Sequence, residues 1–411
     1  MKKFALLLAS LALAFLVAGC GGKGSSADYP ADFKVAAGDG AVVVTWTADP
    51  DVEYWIFFGP GAGITTSNWS TSGGTVLPKA NSPQTITGLT NGTTYSFTIN
   101  GRKDGGPGGS GAPTQVVTPQ LAGANWAVGT PLGTGRLNGV ANGNVLAGNA
   151  NVAVGAGGTI FSSIASAATT TPANPAAPAD LHAVWYSALG FLAVGANGSI
   201  LTSTDATTWT AQTSGVTATL YGGTSIGTGG YIAVGASGTI IGSSDGATWT
   251  AVTTGTTHDL RAAVFGNNRY VVVGANGTIV TTGDGFTWEV VPSGTANDLR
   301  GVAYAAIATT VEQITIVTHH YVAVGAAGTV LTSSDGLAWT VQPPISAGDL
   351  AAVVHGGQFV AAGKAGGIFT SSDGITWQTR NSGTANDLAA VVRTLSGYTA
   401  VGDLGTNVSS F

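Results

Sequence analysis

Tyr270-Val271-Val272-Val273-Gly274-Ala275-Asn276-Gly277-Thr278-Ile279-Val280 and Tyr321-Val322-Ala323-Val324-Gly325-Ala326-Ala327-Gly328-Thr329-Val330-Leu331 are two copies of one motif. Each reads as an apolar strand, a glycine-marked turn and a further strand. The glycine closing the first of these strands recurs at 155, 195, 235, 274, 325, 363 and 402, giving seven copies about 40 residues apart. A unit of that size with several short strands cannot bury its apolar face alone. Units stacked around an axis can, and the period is the signature of a propeller blade. One interval is long, because residues 305–319 insert roughly 11 extra residues.

Within one unit the strands are expected at 260–265 (inner), 269–273 (second), 278–282 (third) and 287–291 (outer). The seventh copy runs to Ser410 without an outer strand, whereas Asn125-Trp126-Ala127-Val128 looks like an outer strand with no blade of its own. The expectation is that 125–129 pairs with 406–410 and closes the ring, leaving no free sheet edge. The first copy loses its turn and outer strand to residues 165–179, rich in Ala, Thr and Pro. The fold class is therefore all-β, with the seven-bladed propeller spanning 120–411.

Residues 30–119 form a separate unit. Alternation marks strands in Ala41-Val42-Val43-Val44-Thr45-Trp46, Tyr54-Trp55-Ile56-Phe57-Phe58 and Thr94-Tyr95-Ser96-Phe97-Thr98-Ile99, separated by Gly, Pro, Asn and Asp turns. The segment resembles a fibronectin type III domain: Trp46 falls where that family places its core Trp. Leu89-Thr90-Asn91-Gly92-Thr93-Thr94-Tyr95 is similar to its Leu-x-x-Gly-x-x-Tyr corner with one residue added. The resemblance implies a β-sandwich in which the Tyr95 hydroxyl bonds nearby backbone. Gly105 to Gly111 read as a mobile loop.

The amino terminus opens Met1-Lys2-Lys3, continues through an apolar run and reaches Leu16-Val17-Ala18-Gly19-Cys20. Charged, apolar and small-residue regions in that order and length make a signal peptide over 1–19, too short for a membrane span. The stretch ending at Cys20 resembles the bacterial lipobox, which implies that Cys20 carries a diacylglycerol as the mature amino terminus. Gly21, where Asp would retain such a lipoprotein at the inner membrane, points to the outer membrane or cell surface. Residues 20–29 are then the lipidated Cys and a flexible tether. Cys20 is the only cysteine, so stability must come from packing without disulfides. Without Lys2 and Lys3 the chain holds 12 basic and 20 acidic groups. That balance, with no basic stripe, excludes nucleic acid as a partner.

Between third and outer strands, five copies carry Ser-x-Asp-Gly-x-Thr-Trp or a variant, with Asp at 205, 245, 284, 335 and 373. The motif resembles the Asp-box of bacterial-neuraminidase-type repeats and of photosystem II assembly factor propellers. Its carboxylate is expected to accept backbone N–H bonds and its Trp to pack between blades. A group recurring once per blade belongs to structure. The sialidase resemblance implies three arginines, a Tyr with a Glu and an acidic general acid. Arg136, Arg261 and Arg300 are available, but the propeller has only Glu289 and Glu312, and the Arg-Ile-Pro motif is missing. The histidines at 182, 258, 319, 320 and 355 lack ligand spacing, and neighbouring strand residues such as His319 and His320 face opposite sides. No metal or other cofactor is expected.

What varies is one position. Each inner strand opens x-Leu-y, and y is Asn138, His182, Tyr221, Arg261, Arg300, Ala351 and Ala389 in turn. Equivalent residues must ring one mouth of the channel, and the five polar ones form the candidate binding mouth, with Arg261 and Arg300 suited to an anionic group. The preceding Asp180, Asp259, Asp298, Asp349 and Asp387 read as turn or cap residues. The functional expectation is a noncatalytic, lipid-anchored surface protein that binds or scaffolds a protein or glycan partner. The alternative is a sialidase-like glycosidase using the same mouth.

Overall fold

The computed structural model describes residues 24–164, 171–173, 179–225, 230–311 and 314–410. The signal peptide and Cys20 lie outside them. The chain divides into two compact units after Pro119, each described by itself.

The first unit packs two antiparallel sheets. Lys34–Gly38, Ala41–Thr45 and Gln84–Thr87 make one. Tyr95–Lys103 centres the other, between Glu53–Pro60 and two short strands, Ser25–Ala27 and Gln115–Val117, while Thr75–Ala80 pairs beyond Glu53–Pro60. Alternation places Val42, Val44, Ile56, Phe97 and Ile99 in one fully buried cluster between the sheets. Trp46 packs edge-on to Tyr54 at 5.6 Å, and the Tyr95 hydroxyl accepts the N–H of Thr90 at 3.1 Å, closing the corner read from the sequence. The tether expected over 20–29 is corrected at its far end. Ser25–Ala27 pairs with residues 101–103, because a short apolar-tolerant segment satisfies an otherwise open strand edge.

Among the described residues of the second unit, seven four-stranded antiparallel sheets follow one another. The fourth is representative: Leu260–Gly266, Arg269–Gly274, Ile279–Thr282 and Glu289–Val291. Innermost strands touch in chain order, and that of the seventh sheet, Leu388–Arg393, touches that of the first, Leu137–Val145, so the sheets close a ring. The seventh sheet takes its outer strand from the other end of the unit: Trp126, Ala127 and Val128 pair with Ser410, Ser409 and Val408. The first sheet keeps a short outer strand at Thr171–Ala173, where sequence reading saw only degeneracy. Residues 305–319 extend an inner hairpin: Leu299–Val311 pairs with Ile314–Gly325, without interruption from Gly301 to Val311.

Two devices recur from sheet to sheet. In the turn between second and third strands, the last glycine holds positive φ; at Gly277 (φ 67°) a Cβ would meet the Thr295 carbonyl at 2.0 Å, so no other residue fits. In the turn before the outer strand, Asp284 accepts the N–H groups of Phe286 and Thr287, both at 2.8 Å. The Trp that follows fills the gap to the preceding sheet beside an aromatic that opens the second strand: Tyr270 with Trp288, Tyr321 with Trp339 and Tyr398 with Trp126, at 6.1 to 6.5 Å. Trp209, Trp249 and Trp377 occupy the same kind of gap.

Candidate functional site

Every innermost strand carries the same irregularity. Pairing skips from Leu137 to Gly139, Leu181 to Ala183, Leu220 to Gly222, Leu260 to Ala262, Leu299 to Gly301, Leu350 to Ala352 and Leu388 to Ala390. The residue left out of the ladder is the variable one, and a bulge turns its side chain away from the sheet. The Leu stays buried and the bulged residue is half-buried. All seven, Asn138, His182, Tyr221, Arg261, Arg300, Ala351 and Ala389, line one pocket of about 320 Å³. The structure thus brings together every residue of the expected mouth.

Three of them form a connected arc. The rings of His182 and Tyr221 lie 5.5 Å apart, and the Arg261 guanidinium sits 5.3 Å from the Tyr221 ring centre, within cation–π reach. Burial pushes His182 below its ordinary pKa, against the pull of Asp180. Asn138 donates from Nδ2 to the Leu181 carbonyl at 2.9 Å. Arg300 pairs with Asp349 at 2.9 Å, and Arg261 lies 3.8 Å from Asp259. The two arginines are therefore partly neutralised, which tempers the expected affinity for an anion. Arg261 retains a buried Nε without a hydrogen-bond partner among the described residues.

The Asp residues before the bulges are caps, but they act between sheets. Asp180 accepts the N–H of Gly157, Asp259 that of Ser237, Asp298 that of Asn276, Asp349 that of Ala327 and Asp387 that of Ala365, at 2.7 to 3.0 Å. Each acceptor belongs to one sheet and each donor to a turn of the sheet before it. Arg136 holds this position in the first sheet and pairs with Asp403 in the seventh, so the staple persists at the closure with its charges exchanged. Arg136, which the sequence offers only as one of three arginines near the axis and not as a mouth residue, lines the same pocket; its place two residues before Asn138, matching Asp180 before His182, was the available signal. Cys20 lies outside the described residues. His319 and His320, on the extended hairpin, bond separately to Tyr304 and Thr318. Among the described residues, no three His, Cys, Asp or Glu side chains group as metal ligands.

A ring of repeated four-stranded sheets around a side-chain-lined axial pocket defines the class: this is a β-propeller. Solved structures carry the same fold. YCF48 from Cyanidioschyzon merolae superposes with a TM-score of 0.53 at 16% identity, covering 70% of this chain and 98% of that one. YCF48 bound to D1 peptide gives a TM-score of 0.55 at 15% identity over 69% and 96%. No protein-family model and no curated protein matches the sequence.

Proposed function

We propose that this chain is a noncatalytic, lipid-anchored surface protein in which a fibronectin type III-like sandwich carries a seven-bladed propeller that binds a protein partner at its channel mouth. The observation that carries this reading is the mouth itself. Seven bulges present seven side chains to one pocket, and the polar ones fall on five consecutive sheets. A ring of aligned positions whose side chains differ from sheet to sheet gives the mouth a chemistry of its own. The peptide-bound YCF48 structure is a distant precedent for a propeller of this kind holding a polypeptide. The sandwich corner at Tyr95 supports the first half of the reading, and the seven four-stranded sheets support the second.

The test is capture from cell-surface extracts on the immobilised chain, compared with the Arg261→Ala/Arg300→Ala double variant. The double variant should lose at least tenfold in affinity for the captured protein, the equivalent of roughly 1.4 kcal/mol, with its melting temperature nearly unchanged. Equal capture by both would move the binding surface away from this mouth. Release of sugar from a glycoside by the wild-type chain would replace the reading with a glycosidase.

A further inference from the structure

The inner hairpin of the fifth sheet outruns the strand beside it. Leu299–Val311 and Ile314–Gly325 stay paired as far as Val311 and Ile314, but the third strand, Val330–Ser333, accompanies them only to Tyr321. Beyond that level, residues 305–311 and 314–320 pair with each other and, among the described residues, with no further strand. Ile316 and Val317 are neighbours in a strand and so lie on opposite faces. They are 56% and 50% exposed, so the ribbon stands clear of the ring on both sides.

A two-stranded ribbon is marginal in water, and its open edge offers unpaired N–H and C=O groups to any strand that approaches. Proteins blunt such edges with Lys, Pro, a bulge or a very short strand. None of these devices is present here. Residues 305–311 and 314–320 contain no Pro and no charged side chain, and their register is unbroken. Residues 314–318 are Ile-Thr-Ile-Val-Thr, five β-branched residues in a row, a composition suited to further strand pairing.

The same composition indicates the occupant. A two-fold axis sets each residue near its own counterpart, so a charged strand would repel its copy, whereas a neutral one pairs with it freely. We infer that the open edge of residues 314–320 is an interface between two copies of this chain, paired antiparallel about Val317, the midpoint of the segment. Ile316 then lies opposite the partner's Thr318. The two ribbons merge into one four-stranded sheet, enough for independent stability. The added strand continues the line of Val330–Ser333, above the turn that carries the exposed Leu337. Antiparallel pairing places the ring of each copy at the tip of the other's hairpin. The channel mouths, at the Arg300 end of Leu299–Val311, therefore face away from each other and stay open. The interface does not depend on the reading of that mouth.

Sedimentation velocity of the chain from residue 21 onward, with both units present and no lipid attached, tests the assignment. The chain should pass from monomer to dimer as its concentration rises. Val317→Lys should weaken the dimer at least tenfold, because two ammonium groups then meet at the axis, and Val317→Glu should do the same. An equimolar mixture of the two variants should dimerise again. Cys20 is the only cysteine, so Val317→Cys in this chain supplies a single thiol. Mild oxidation should link it between copies, and should link Leu404→Cys, beside Arg136 and Asp403 at the mouth, far more slowly. If the charged variants do not fold, this pair of cysteine variants decides alone. Monomer at every concentration overturns the inference, and sedimentation of that monomer with phosphatidylcholine vesicles would give the hairpin to a lipid surface. A dimer that survives Val317→Lys, or cross-linking no faster at 317 than at 404, overturns it by placing the contact elsewhere.

Discussion

Asp245 sits at an exposed turn, yet its carboxyl is held at a pKa of about 2 by N–H donation from Thr248 and Ala247 and by the Ser243 hydroxyl. Asp349 reaches about 2 through the N–H of Ala327, opposed by partial burial and helped by Arg300 and Lys364. Asp284 is lowered in the same way by Thr287 and Phe286. A carboxyl with a depressed folded pKa stabilises the fold above its unfolded value, 3.8 here, and loses that contribution as pH falls toward the folded value. The urea midpoint should therefore stay level from pH 7 to about 5 and fall between about pH 4 and 2. Asn at 245 and 349 preserves an acceptor oxygen without the charge, so the double Asp→Asn variant should show a shallower fall. An equally steep fall in that variant would remove these turns from the explanation. At this scale the sequence was informative about chemistry and silent about direction. A carboxylate in a Ser-x-Asp-Gly turn has one local use, and that use is observed. That Asp259 reaches into the neighbouring sheet depends on the angle between sheets, which no local pattern encodes.

The strand Trp126–Val128 is three residues long, too short to persist alone. It is fixed by the ladder to residues 408–410, by the Trp126 ring packed against Tyr398, and by an indole N–H donated to Gly123 at 2.9 Å. Trp126 is 9% exposed. Trp126→Ala should cost about 3 to 5 kcal/mol, read from denaturant unfolding. Deleting residues 398–411 should do more, since it opens the ring and frees two strand edges; a truncation no less stable than Trp126→Ala would show that closure contributes little. Strands were legible because period-2 alternation and turn glycines bound them to within a residue or two, as at Leu260–Gly266 and Arg269–Gly274. The outer strand Thr171–Ala173 was not, because in the other sheets it was the Trp beside that strand, and not the strand's own composition, that marked it. The bulges were equally hidden. The sequence shows that the residue after Leu varies, and only the skipped pairing explains why it is free to vary.

For the whole molecule, the lipid anchor that we propose at Cys20 would set where the protein acts. Among the described residues no helix is long and apolar enough to cross a membrane. Cys20→Ser should release the protein into the soluble fraction of a membrane preparation, and retention at high salt would require another anchor. The closure of the ring then acquires a mechanical meaning. A chain held by its amino terminus and pulled at the channel mouth would load the ring first at Ala122, buried and bonded through its carbonyl to Gln358, and then at Trp126–Val128, so the segment that completes the last sheet would be the first part of the ring to feel it. Rupture under force should begin at this clasp, while the sheets whose strands are contiguous in sequence are shielded until it parts.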